Sequence, residues 1–146
     1  MSAQDETEGV LDRLFPLFDH THDAVTTAIV VVFAAVVGVL AGWITADFGV
    51  RFLAFLVGAV GSGYLLYGQA TQRAVLAAGF YSVAVLLAAA PFAYELVTLV
   101  TVEAPLRHLL SVADLLVFVV FWLLAAVPAL VGYRIASGPF LPRLRR

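Results

Sequence analysis

The chain has 146 residues, 63% of them hydrophobic and only 12% charged, with a formal net charge of −2 and no cysteine. Its mean hydropathy of +1.03 reflects more apolar surface than a soluble domain of this length can hide. The missing thiol excludes disulfide frameworks, thiolate metal sites, thiol redox chemistry and lipidation at an N-terminal Cys.

Residues 1–23 hold Asp5, Glu6, Glu8, Asp12, Asp19 and Asp23 against Arg13 alone. The acidic stretch Asp5-Glu6-Thr7-Glu8 predicts no fixed structure. Val10, Leu11, Leu14 and Phe15 then recur at helical spacing with Asp12 and Arg13 opposite, and Leu17 and Phe18 follow Pro16. This pattern predicts a short amphipathic helix on the membrane surface. A basic start and a short apolar core are lacking, so the segment is not expected to be a cleaved signal. Asp19-His20-Thr21-His22-Asp23 places two imidazoles and two carboxylates together, a donor set suited to a divalent metal. In a helix, however, His20 and His22 diverge. The expected role is therefore a polar N-cap region with acids favoured by the helix dipole, and no metal or other cofactor is assigned.

Four apolar runs follow, at about 24–45, 50–67, 74–94 and 112–133. Each is near the length that crosses a hydrocarbon core of about 30 Å at 1.5 Å per residue. Barrel strands would alternate with period two over about ten residues. Continuous apolar runs of this length predict helices instead. Between the first two runs, Asp47 is the expected N-cap of the second helix, with Arg51 as its partner four residues on. The third run is ambiguous, because Pro91 follows three alanines and Leu96 to Val102 is apolar again after Glu95. An end near Tyr94 is the favoured reading, since it keeps Glu95 out of hydrocarbon; a kinked helix to Val102 is the alternative. Residues 95–110 form the longest connection, with Glu103, Pro105, Arg107 and His108. Ser111 and Asp114 make a capping-box pattern that predicts the start of the fourth helix, which Pro128 should bend.

Three domains are expected: 1–23 as an acidic cytoplasmic segment with the interfacial helix, 24–136 as the four-span unit and 137–146 as a basic cytoplasmic tail. The fold class is all-α, a four-helix transmembrane bundle with a short N-terminal interfacial amphipathic helix. Four spans put both termini on one face, where Arg13, Arg73, Arg134, Arg143, Arg145 and Arg146 also fall; only Arg51 and Arg107 face the other way. The arginine bias places the termini in the cytoplasm. It also reads as a topology signal, so no nucleic-acid partner is expected.

All eight basic residues are arginine, ten residues are acidic, and Ala, Val, Leu and Gly are abundant. In composition the chain resembles small multi-pass membrane proteins of haloarchaeal type. The resemblance implies a cell-membrane setting in high salt and no particular activity.

Small residues recur every fourth position: Ala34/Gly38/Gly42, Ala54/Gly58/Ser62 and Ala70/Ala74/Ala78/Ser82. Lipid tails remove the apolar driving force between helices, so close backbone approach must hold them together. Gly38, Gly42, Gly58 and Ser62 are the expected packing interface, within this bundle or against a partner. Glu95, Glu103, Arg107 and Asp114 map near one membrane boundary and are the candidate ion or proton site. Enzymatic readings find no support. Gly61-Ser62-Gly63 lacks the five-residue nucleophile elbow, and phosphate loops and paired-His metal helices are absent. Small multidrug exporters rely on an acid in the first helix, and residues 24–46 contain none.

The expected function is a non-catalytic accessory or scaffolding subunit acting through helix packing. The alternative is a small oligomeric transporter or channel with a charged boundary site. The expected partners are the lipid bilayer and a membrane-protein partner or a second copy of this chain. Because native thiols are absent, single cysteines at Phe48 and Ser137 report the topology. An impermeant maleimide added from outside should label the first and spare the second; the reverse pattern would invert the orientation.

Overall fold

The computed structural model describes residues 22–101 and 111–138. Four helices run through them: α1 Ala24–Ile44, α2 Arg51–Tyr67, α3 Gln72–Thr101 and α4 Val112–Ser137. A 3-10 turn, Ala46–Phe48, joins α1 to α2 and ends at Gly49, whose φ of 73° is the left-handed conformation glycine adopts without penalty. The described residues are thus all-α. The predicted interfacial helix at residues 10–18 and the basic tail beyond Gly138 lie outside the described residues.

Three of the helices, α1, α3 and α4, are long and apolar enough to cross a membrane. The second is shorter, at 17 residues, or about 25 Å.

α1 and α2 form an antiparallel hairpin, α3 and α4 form another, and the two hairpins meet mainly through α1 against α3. A glycine seam holds the first hairpin. A Cβ on Gly38 would lie 2.9 Å from both the Ala59 Cβ and the Phe55 carbonyl oxygen, and one on Gly58 would lie 2.9 Å from the Ala41 Cβ. One turn along, a Cβ on Gly42 would come within 3.0 Å of the Arg51 carbonyl oxygen. Ser62 is buried and donates its hydroxyl to the Gly58 carbonyl at 2.6 Å, so its polarity is satisfied within α2. All four small residues singled out in the sequence therefore lie on, or beside, the α1–α2 contact.

The contacts of α3 use a different set from the expected stripe. Val75, Ala77, Gly79 and Ala84 are its buried residues in the first half, whereas Ala70 is exposed and Ala74, Ala78 and Ser82 are half-buried. The Phe33 ring of α1 covers Gly79 at 2.6 Å from an added Cβ and meets Phe80 edge-on at 5.2 Å. On the α4 side, a Cβ at Gly132 would lie 3.1 Å from the Ala77 carbonyl oxygen. Val30, Leu66 and Val75 form the buried centre where α1, α2 and α3 converge. Four-residue spacing failed here because α3 packs on two neighbours at once, which widens its buried face beyond one stripe.

The third helix does not end near Tyr94. It runs unbroken through Pro91 to Thr101, 30 residues in all. Pro91 removes the hydrogen bond to the Leu87 carbonyl, yet its ring is fully buried. Neighbouring helices make such a proline tolerable in a spanning segment. Glu95 therefore lies within the helix, buried in protein, and not beyond a helix end.

Two further expectations need correction. Asp47 does not cap α2: it sits in the 3-10 turn, and the N-cap is Val50, which offers no side-chain hydrogen bond. Nor, among the described residues, does Asp47 pair with Arg51. Their four-residue spacing brings side chains together only on a continuous helix, and Gly49 interrupts it.

The seam makes a direct comparison possible. Gly58→Ala should destabilise the bundle by about 1–3 kcal/mol through overpacking against α1. Gly61→Ala, where an added Cβ meets nothing within 4 Å, should be neutral or slightly stabilising. Thermal unfolding of both variants in mild detergent measures the difference.

Candidate functional site

At the end of the bundle nearest His22, the polar groups serve structure. Asp23 is the N-cap of α1, accepting the Thr26 backbone N–H at 3.0 Å. The His22 imidazole donates from Nε2 to the Tyr67 carbonyl oxygen at 2.7 Å and packs edge-on against the Tyr67 ring. It thereby ties the start of α1 to the end of α2. Among the described residues no three His, Asp or Glu side chains gather as a metal would require; Asp19 and His20 lie outside the described residues. Also at this end, the Arg73 guanidinium donates to the Ile135 carbonyl in the last turn of α4. A cation is well placed against the negative end of that helix.

The opposite end, marked by Trp43, is chemically richer. Ser111 caps α4: its Oγ accepts the Asp114 backbone N–H at 3.1 Å, and its hydroxyl donates to the Asp114 carboxylate. The helix starts where the sequence pattern predicts, with the N-cap half of the box formed and the Asp114 carboxylate meeting the Ser111 hydroxyl. Asp114 is buried, yet it is held within this box.

Glu95 differs. It is 5% exposed, and among the described residues neither carboxyl oxygen has a hydrogen-bond partner. Pro91, Glu95 and Thr98 form one buried face of α3, but the Thr98 hydroxyl donates back to the Tyr94 carbonyl and is not offered to Glu95. The α3–α4 register sets Gly132 near Ala77 and Phe92 against Phe118. The same antiparallel register brings Glu95 level with the first turn of α4, where Asp114 sits. Glu103, Arg107 and His108, the rest of the predicted charged site, lie outside the described residues.

Beside Glu95, on an adjoining face of α3 that shares Pro91, a cavity of about 580 Å³ opens between the hairpins. Its walls include Trp43, Asp47, Arg51, Pro91, Tyr94 and Phe121, and Trp43 stacks on Phe121 with centroids 6.2 Å apart. Glu95 does not line it. Sequence reading placed Asp47 and Arg51 at this boundary but missed the rings as cavity walls. Phe121 gave no signal, because its partner lies 78 residues away in the chain.

Comparison with family models, with curated proteins and with solved structures finds no match to this chain.

The carboxylate cap gives α1 a pH dependence. The Thr26 hydroxyl, and then its backbone N–H, hold the Asp23 carboxyl below its ordinary value of 3.8. A folded-state value lower than the unfolded one stabilises above the unfolded value and is lost as pH falls through the lowered one. Protection of the Thr26 amide, measured as its hydrogen exchange relative to the intrinsic rate at each pH, should therefore fall on acidification below the ordinary value. Asp23→Asn, which still caps but does not titrate there, should flatten the profile.

Proposed function

We propose that this protein is a small helical membrane protein of transporter or channel type, which binds a proton or a cation at Glu95. The observation that carries this reading is the burial of that carboxyl with no hydrogen-bond partner among the described residues. A carboxylate held out of water without a partner costs several kcal/mol, which a bound cation or proton would offset. Ionisable side chains within apolar helices mark ion or proton pathways more than they serve packing. Asp114, level with Glu95 on α4, is the second acid of the proposed site; Glu103 and Arg107, assigned to it by the sequence alone, lie outside the described residues.

The setting proposed is the cell membrane, with both termini cytoplasmic as the arginine distribution implies.

A second reading, the accessory or scaffolding subunit, draws on one observation. The fourth helix packs on α3 and makes only slight contact with the first hairpin, leaving Leu116, Leu123, Val127 and Leu130 exposed along it. Such a face suits a partner helix as well as lipid.

Reconstitution distinguishes the two. Purified protein in liposomes should support proton or cation flux, and Glu95→Gln should abolish it while leaving the thermal unfolding midpoint unchanged or raised. Ser111→Ala tests whether disturbing the Asp114 cap alone has the same effect; it should reduce stability and leave residual flux. Absence of wild-type flux, together with a stoichiometric protein partner retained in mild detergent, would favour the subunit reading.

A further inference from the structure

The cavity at the Trp43 end has a neighbour that changes its meaning. A second hollow of about 420 Å³ lies along the α1–α2 hairpin and is lined by Val39, Gly42, Trp43, Arg51, Phe52 and Phe55. Trp43 and Arg51 belong to both hollows. The second is otherwise apolar and extends one helical turn deeper, to Val39, whereas the first carries Asp47 and opens toward the end of the bundle. Arg51 thus stands between an apolar trough and a chamber holding one acid and the Trp43, Tyr94 and Phe121 rings.

We propose that these adjoining hollows form a binding site for one glycerophospholipid with a zwitterionic headgroup. Arg51 takes the phosphate, Asp47 and the aromatic rings take the headgroup cation, and an acyl chain lies along Val39, Phe52 and Phe55. Three features match a lipid molecule in order along its length. The trough is apolar, as a chain requires. The guanidinium at its mouth carries a planar fork of donors suited to phosphate. Beyond it lie a carboxylate and π faces, which attract an ammonium. Among the described residues Arg51 and Asp47 are bound neither to each other nor to another side chain. The chamber volume is ordinary for a small-molecule site. Tryptophan and tyrosine rings, half or more exposed here, commonly mark headgroup depth. Glu95 lines neither hollow, so this site stands or falls separately from the proposed ion site.

The test uses the full chain with Trp122→Phe, which leaves Trp43 as the sole tryptophan. In maltoside micelles, free of phosphate detergent, phosphatidylethanolamine should change Trp43 fluorescence saturably, with one lipid bound per chain by native mass spectrometry. Diacylglycerol, which lacks the phosphate, and Arg51→Gln should each weaken binding about tenfold or more, as loss of a charge-assisted contact predicts. Asp47→Asn should shift preference from phosphatidylethanolamine toward phosphatidylglycerol by removing attraction for the cation. Equal binding of diacylglycerol, or affinity unaltered by Arg51→Gln, would overturn the proposal. So would phosphoethanolamine, the headgroup without chains, binding as tightly as the whole lipid, since that would mark a site for a soluble zwitterion.

Discussion

Helices in lipid gain little from burying apolar side chains against one another, because the tails they displace are equally apolar. Their association depends on backbones coming close enough for dispersion to act over many atoms. In this protein the glycine seam between α1 and α2 meets that constraint, and the rest of the bundle is arranged around it. With Gly38, Gly42 and Gly58 closing one face of α1 against α2, α1 is left to present Phe33 to α3. The ring settles over Gly79, which has no side chain to exclude it. The second hairpin is thus hung on the first through a large residue fitted to a small one. At α3–α4 the same logic recurs at Gly132.

Unequal helix lengths then shape the Trp43 end. α1 has 21 residues and α3 has 30, so α3 and its partner α4 project past the end of α1. The chamber lies where α1 stops and the other two continue. Pro91 sits on its wall, at the level where an interrupted backbone hydrogen bond has protein around it. The bundle is closed near His22 by Leu66 and Val75 and open near Trp43, and the polar chemistry collects at the open end.

Three acids show how far local sequence reaches. Asp23 and Asp114 both belong to helix starts, and each does what its immediate neighbours dictate: one accepts the Thr26 N–H, the other joins Ser111 in a box. These roles rest on contacts three residues apart, so spacing alone reveals them. Glu95 has no such local partner. Its surroundings come from α3 continuing beyond Pro91 and from α4 folding back beside it, which no window of adjacent residues records. Asp47 is the intermediate case, where a plausible local pattern was overridden by the left-handed turn at Gly49.

Hydropathy and capping were sufficient to define the helical class, the presence of four apolar helices and the starts of α1 and α4, but neither the end of α3 nor the shortness of α2 beside the other three. Those features follow from backbone hydrogen bonding in a medium without water and from short-range caps, and both are written in consecutive residues. The glycines of the first hairpin were legible too, since a short turn forces α1 and α2 together and a four-residue repeat on each faces the other. Tertiary structure alone decided the rest: that α3 packs on two faces through Gly79 and Ala77, that Trp43 meets Phe121, and that Glu95 is enclosed without a hydrogen bond among the described residues. Each of these depends on which helices become neighbours and at what depth. That choice is made by shape complementarity summed over whole helix faces, and a linear pattern of apolar residues does not encode it.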